Sequence, residues 1–353
     1  LSPNPFSKGL PFRQTLKLRE GEIEILAGKD ESEITISVWV DANHPVIRVE
    51  AEGRQRFDIS VSLEVWRTEK RALEGKETFS AYGMNDGPHA VVVYPDTILK
   101  EKSNRIVWFH RNEKSVWPLT MKLQGLESLM TRFPDPLLNR TFGGAIKGAG
   151  LLKENATTLK SAEPRRRFSV SIYPLTAQTP TADDWLRHLD RTIARIEAKN
   201  LARTRQAHLK WWDEFWNRSW IRVSGRTDPA KDAAADVFQV SQGYVLQRFI
   251  SACGGRGAFP IKFNGSIFTV DSREPNEEYD ADYRRWGGPY WFQNTRLPYW
   301  PMLASGDFDL MQPLFRMYLG AAPFGEARTR LYFGHEGSFF PETMYFWGAY
   351  ANN

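Results

Sequence analysis

Apolar and polar residues alternate with a period of two through the first half of the chain. Phe57, Ile59, Val61, Leu63 and Val65 interleave with Asp58, Ser60, Ser62 and Glu64, which gives a strand one dry and one wet face. The same alternation runs through Ile34, Ile36, Val38 and Val40, through Ile47 and Val49, and through Phe168, Val170 and Ile172. Turn formers separate these runs: Gly28-Lys29-Asp30, Asn43-His44-Pro45, Tyr94-Pro95-Asp96 and Gly143-Gly144. Many short strands with no helical period between them predict an antiparallel β-sandwich over residues 1–180, with about a dozen strands.

The period changes at Thr181. This residue can cap a helix, with Asp184 three positions on. Trp185, Leu189, Ile193 and Ile196 then recur at steps of three and four, and Leu209, Trp212, Phe215 and Trp216 resume the pattern after Asn200. Residues 181–224 therefore read as a helical linker lying against the sandwich. A second, helical domain over residues 225–353 starts near Asp228-Pro229, an N-cap followed by proline. Its first apolar stripe, Val237, Val240, Tyr244 and Phe249, ends at Gly254-Gly255. Helical pattern resumes at Asn294, is interrupted at Pro298 and Pro301, and returns from Asp309 to Leu319. The fold class is α+β, with sheet and helix segregated along the chain.

The chemistry concentrates between Arg284 and Pro301, RRWGGPYWFQNTRLPYWP. Trp286, Tyr290, Trp291, Tyr299 and Trp300 surround Gln293, Asn294 and Arg296. A pyranose presents C–H faces that stack on aromatic rings and hydroxyls that need directed partners. For any one of these aromatics, a buried seam between helices is the ordinary explanation. The amides and arginine inside the run favour a sugar site. Glu342, after Phe340-Pro341 in an aromatic loop, is the first choice for a sugar-contacting or acid carboxylate, ahead of Glu336, Asp280 and Asp282. The competing role for Glu342 is a carboxylate at a helix N-terminus. His335, in Gly334-His335-Glu336-Gly337, is a further polar candidate.

Composition narrows the alternatives. An apolar fraction of 41% and a charged fraction of 25% are those of an ordinary globular protein. The net charge of +5 comes from 47 basic against 42 acidic residues dispersed along the chain, so nucleic acid is not an expected partner. Cys253 is the only cysteine, and the six histidines show no metal-ligand spacing, so neither metal nor other cofactor is expected. No apolar run reaches the length of a membrane span. The N-terminus, LSPNPFSKGLPF, is neither a signal peptide nor a start methionine, and is expected to be a cropped or processed end.

The order of sandwich, linker helix and helical domain resembles the inverting glycoside hydrolases and phosphorylases with an (α/α)6 barrel. Within that clan it resembles the family 95 glycoside hydrolases, of α-L-fucosidase and α-L-galactosidase type. His208 to Val223, HLKWWDEFWNRSWIRV, is similar to their linker-to-barrel segment, and Phe259 to Thr269, FPIKFNGSIFT, to their P-x-N-L-Q-G-x-W loop, with Asn264-Gly265 where Gln-Gly is usual. Trp286-Gly287, Tyr290, Gln293-Asn294-Thr295 and Tyr299-Trp300-Pro301 resemble W-G-x-x-Y…N-x-N-T-x-M-N-Y-W-P. The resemblance is closer still to a group of bacterial proteins of the DUF5703 type. It implies that Asn294 orients the attacking water and that Asn264, Trp286, Tyr290, Gln293, Tyr299 and Trp300 line the substrate site, to which the reading of the residues themselves adds Arg296 and His335. Arg296 replaces a glutamate of the family pattern and Pro298 an asparagine, so fucose specificity does not carry over.

These readings imply a carbohydrate-active enzyme, an inverting glycoside hydrolase trimming side chains or oligosaccharides and secreted or periplasmic in location. Asn294 cannot itself take up a proton, and an (α/α)6 barrel of twelve helices needs roughly 140 residues before loops. The residues after Asp228 are fewer, so the catalytic set is expected to be incomplete here. Two rivals remain. A non-catalytic glycan-binding protein would bind sugar without turnover. A polysaccharide lyase could use Asn294, Arg296 and Tyr299, but familiar lyases place the helical toroid before the β-domain.

Overall fold

A computed structural model describes residues 1–84, 87–100, 103–223, 233–262, 273–274, 277–279 and 281–351. The chain divides into two compact units. The first comprises Leu1–Thr68, Pro95–Ser115 and Pro136–Glu214, and the second Glu69–Tyr94, Val116–Asp135 and Phe215–Asn353. Two segments embedded in the strand-rich half, Glu69–Tyr94 and Val116–Asp135, belong to the second unit.

In chain order the strands of the first half are β1 (Phe12–Lys17), β2 (Glu22–Ala27), β3 (Ile34–Val40), β4 (Ile47–Phe57), β5 (Ser60–Ser62), β6 (Arg71–Ala72), β7 (Val92–Val93), β8 (Thr97–Ile98), β9 (Ile106–Arg111), β10 (Arg140–Gly148), β11 (Leu151–Lys153), β12 (Thr158–Ser161) and β13 (Arg165–Gln178). Eight of them form one antiparallel sheet in the order β1-β2-β3-β4-β13-β10-β9-β8, and β11-β12-β5 form a second sheet of three. The pair β6 and β7 belongs to the other unit.

The period of two sorts the side chains of the large sheet to its two faces. On one face Ile106, Ile146, Phe168 and Val170 share a core with Leu151 and Leu159 of the small sheet. On the other, Val107, Phe109, Ala145 and Tyr173 meet Trp185, Leu189, Ile193 and Ile196 of helix α2 (Ala182–Glu197), the second helix after α1 (Trp117–Leu123). Neighbours such as Ile106 and Val107 thus face opposite cores. The capping box at the start of α2 is formed: Asp184 N–H donates to Thr181 Oγ1 at 3.1 Å, and Thr181 N–H donates to Asp184 Oδ2 at 3.2 Å.

Two sequence expectations need correction. Gly143-Gly144 is not a turn but lies within β10, opposite Phe109 and Trp108 on β9. A Cβ at Gly143 would sit 2.2 Å from the Trp108 carbonyl oxygen, and one at Gly144 2.5 Å from that of Tyr173, so the glycines permit close backbone approach. Nor do Pro298 and Pro301 break the helix they sit in, as described below.

Helix α3 (Leu201–Arg218) crosses the boundary between the units. Its first part is tied to the sheet by fully buried His208, which accepts from Ala42 N–H at 3.1 Å through Nδ1 and donates from Nε2 to the Glu20 carbonyl at 2.7 Å. That pair of partners fixes the neutral Nε2–H tautomer.

The helical unit is built on α4 (Ala233–Gly254), α5 (Phe292–Ser305) and α6 (Phe308–Phe333). The short pairs β14 (Arg273–Glu274) with β15 (Glu277–Glu278), and β16 (Tyr290–Trp291) with β17 (Thr343–Met344), complete it. Asp228-Pro229, the expected start of this domain, lies outside the described residues. Trp117, Met121 and Leu126, from the α1 segment, pack with Phe324, Tyr345 and Ala349, which is why Val116–Asp135 belongs here. Gly306, in the left-handed region at φ 73°, ends α5, and Asp307 caps α6 at once. Buried Arg248 from α4 grips that junction: Nε and Nη2 donate to the two Asp307 carboxylate oxygens at 2.9 and 2.8 Å, and Nη2 also reaches the Phe215 carbonyl at 3.0 Å. Among the described residues no helix is long and apolar enough to cross a membrane.

Candidate functional site

The two-residue pairing of β16 with β17 brings the Phe340–Glu342 loop to the start of α5. Tyr290 pairs with Met344 and Trp291 with Thr343. One step further, Phe292 N–H donates to the Glu342 carbonyl at 2.9 Å and Gln293 N–H to Glu342 Oε1 at 2.8 Å. Glu342 thus satisfies two of the N–H groups that a helix N-terminus leaves open, with its negative charge at the positive end of the dipole. The side chain is otherwise exposed. Tyr318, from the middle of α6, stands beside it. Burial, then the Glu342 charge, pushes the Tyr318 hydroxyl up to about 12.

Rings extend from this carboxylate along the surface. Tyr318 meets Phe340 edge-on at 5.0 Å and Phe292 at 6.2 Å. The Arg296 guanidinium lies 5.8 Å from the Phe292 ring centre and 4.9 Å from that of Trp300. Phe292, Trp300 and Phe340 are 45%, 54% and 36% exposed, large fractions for aromatic rings. Asn294 is half-buried on the same first turn of α5. Its side-chain amide makes no hydrogen bond among the described residues. Pro298 has no N–H to return to the Asn294 carbonyl, so that oxygen lacks its helical donor. The result is a strip of Phe292, Arg296 and Trp300 at four-residue steps with a carboxylate at the Phe292 end, while Asn294, two residues from Phe292, projects from another side of the same turn.

Glu342 therefore meets Gln293 on the first turn of α5, which also bears Asn294, while Arg296 and Trp300 follow one and two turns further along the helix. Tyr290 and Tyr299 do not join them. Both are buried, at 6% and 1% exposure, and both hold the segment after Phe259. Tyr290 Oη donates to the Pro260 carbonyl at 3.3 Å, and Tyr299 Oη accepts from Ile261 N–H at 2.7 Å. Burial raises both hydroxyls, Tyr299 to about 12 against the opposing pull of the Ile261 bond. Lys262 Nζ donates to the Pro289 carbonyl and lies 5.0 Å from the Tyr290 ring centre. Burial lowers its pKa to about 8. These tyrosine faces are spent on packing, and none is offered to a sugar.

Trp286 sits elsewhere, beside the 3-10 stretch Gly75–Ala81. It occupies the left-handed region at φ 57°, a strained conformation for a bulky residue. The following Gly287 allows the chain within a Cβ distance of 2.1 Å of the Ser80 carbonyl oxygen. Arg285 covers the Trp286 ring at 4.8 Å. His335 lies beyond Gly334, the C-cap of α6, exposed and stacked on Phe333 at 5.9 Å. The fifteen helical steps from Tyr318 to Phe333 span roughly 22 Å, so His335 is far from the strip. Exposed Glu336 pairs with Arg330 at 3.3 Å, and Asp282 is an exposed loop residue. Asn264 and Asp280 lie outside the described residues. Sequence reasoning missed Phe292, Tyr318 and Phe340 as parts of the site. Phe340 stood beside Glu342 and could have been included, whereas Tyr318 is indistinguishable in sequence from the apolar stripe of its helix.

Residues 1–221 match the DUF5703_N family, described as "Domain of unknown function (DUF5703)". The chain belongs to that family. Among solved structures, one described as "Putative kojibiose phosphorylase from human microbiome" superposes with a TM-score of 0.51 at 11% sequence identity, over 96% of this chain and 38% of that one. The likeness is one of fold, and this chain spans less than half the length of that neighbour's chain. No curated protein matches the sequence.

Proposed function

We propose that this member of the DUF5703 family supplies the sugar-binding end of a carbohydrate-active enzyme, with glycoside hydrolysis by inversion as the reaction. The observation that carries the proposal is the Glu342 carboxylate held at the first turn of α5, the turn that bears Asn294, with exposed Phe292 beside it and exposed Trp300 two turns further along the helix. A fold shared with a phosphorylase-type structure supports a carbohydrate substrate, and the family 95 resemblance of the α5 segment supports hydrolysis. Inversion needs a carboxylic acid that protonates the leaving oxygen and a group on the opposite side that activates water, the two roughly 6.5–9.5 Å apart. Asn294 can hold and orient the water through its carbonyl but cannot accept its proton. Glu342 Oε1 is occupied by Gln293 N–H, which leaves Oε2 to meet the sugar or its glycosidic oxygen. The carboxylate that takes the water's proton lies outside the residues gathered here.

A second reading, a glycan-binding protein without turnover, draws support from the same bond, because a carboxylate committed to a helix end is a good sugar contact and a poor mobile acid. Incubating the full-length protein with a panel of glycosides and oligosaccharides, with release followed by proton NMR, decides between them. Hydrolysis with initial formation of the inverted anomer, abolished by Asn294→Ala in a protein of unchanged thermal stability, supports the enzyme. Saturable binding with no release supports the second reading, and undiminished turnover in Asn294→Ala removes that residue from the mechanism.

A further inference from the structure

We infer that Arg296 makes the strip a subsite for a sugar that carries a carboxylate, that is, a uronic acid residue of the glycan. The inference rests on the proposal that the strip binds carbohydrate, and adds the charge of the ligand. Several other arginines of the helical unit have acidic partners, Arg71 with Glu77, Arg218 with Asp309 and Arg248 with Asp307, and buried Arg328 is bonded to the Gly348 and Phe339 carbonyls. Arg296 has none among the described residues. Its Nε is buried without an acceptor, and its guanidinium makes ring contacts only, with Phe292 and Trp300. A guanidinium is a set of five donors that cannot be deprotonated, and the part of this fork that faces solvent, with no protein acceptor, can exchange water for the acceptors of a ligand.

The geometry selects the acceptor. The two rings hold the guanidinium against a surface on which a pyranose can stack, so that an oxygen pair projecting from the sugar ring meets the fork side-on. A planar carboxylate matches that fork in a bidentate pair. Glu342, across Phe292 from Arg296, makes the strip neutral in sum. A monoanionic sugar is balanced by Arg296 at one end while Glu342 takes a hydroxyl at the other. A phosphate dianion would meet a single guanidinium and, nearby, a repelling carboxylate, so free phosphate fits less well.

Isothermal titration of the full-length protein with oligogalacturonate and oligoglucuronate, with the corresponding neutral oligosaccharides, and with inorganic phosphate as competitor tests this. The acidic oligosaccharide should bind about tenfold tighter than its neutral counterpart, in keeping with one bidentate ion pair. Arg296→Gln should erase that preference by weakening acidic binding more than neutral binding, while Trp300→Ala weakens both. Should Arg296→Gln fold poorly, Arg296→Lys, which keeps the charge and loses the fork, must cut the preference. Equal affinity of the unmodified protein for acidic and neutral sugars, a preference that survives Arg296→Gln, or displacement of the uronate by equimolar phosphate overturns the inference. The first two outcomes leave sugar binding by the strip standing. Failure of every sugar to bind overturns the proposed function together with it.

Discussion

Arg248 and Arg296 belong to the same helical unit and use the same chemical group in opposite ways. Arg248 is 5% exposed and fully engaged, with both Asp307 oxygens and two backbone carbonyls as acceptors. Arg296 is stacked on two rings and bonded to nothing among the described residues. The same contrast separates Tyr299, buried with its hydroxyl committed to Ile261, from Trp300, its neighbour in sequence, with a face in solvent. Alternation along one helix puts architecture and recognition side by side, and a saturated polar group is the mark of the first.

The largest effect should come from breaking the saturated side. Arg248→Ala leaves the buried Asp307 carboxylate to Ser305 Oγ at 2.6 Å and Arg218 at 3.6 Å and should cost about 3 kcal/mol of stability, read by urea denaturation. Arg296→Ala in the same assay should cost less than about 1 kcal/mol. Equal costs would mean that Arg296 is structural too, and the contrast would collapse. Next in size, Tyr299→Phe removes the acceptor of a buried N–H and should lose about 1–3 kcal/mol without changing sugar affinity. Trp300→Ala should do the reverse, leaving stability within about 0.5 kcal/mol and weakening sugar binding about tenfold through lost stacking.

The smallest effect extends the comparison to the first unit, where Arg67 is saturated by Asp96: Nε–Oδ1 2.7 Å and Nη2–Oδ2 3.1 Å, with His110 Nδ1 3.1 Å from Oδ1. Burial opposes ionisation of Asp96, but the bonds from His110 and Arg67 outweigh it and hold the carboxyl below its usual 3.8. A carboxyl depressed on folding stabilises above its unfolded pKa, and that contribution is lost as pH falls through the folded value. Between pH 6 and pH 3 the unmodified protein should therefore lose more stability than Asp96→Asn. A steeper acid loss in the variant would show that the pair does not behave as a saturated one.

How much of this could be read from sequence depended on how local the determinants are. The strand alternation around Ile34–Val40 and Phe168–Ile172, and the stripe of Trp185, Leu189, Ile193 and Ile196 behind Thr181, are set by neighbours within a few residues, and each falls where the pattern places it. Assignment of the α1 segment to the helical unit depends on Phe324 and Tyr345, some 200 positions away, and no period records that. Helix α5 runs through Pro298 and Pro301, against the usual meaning of proline, and the doublet Gly143-Gly144 hides in a strand because glycine serves close approach as well as turns. The aromatic and amide content of Arg284–Pro301 marked the site, yet only the pairing of Tyr290–Trp291 with Thr343–Met344 brings Glu342 to it. Composition could not sort the five aromatics into buried posts and exposed faces.

The most direct test of the site itself is a crystal structure of the full-length protein soaked with an acidic oligosaccharide. The account predicts separate sugar rings over Trp300 and Phe292, a hydroxyl on Glu342 Oε2, a carboxylate on the Arg296 fork and ordered water at the Asn294 amide. A sugar bound at another surface, with the strip empty at saturating ligand, would contradict it.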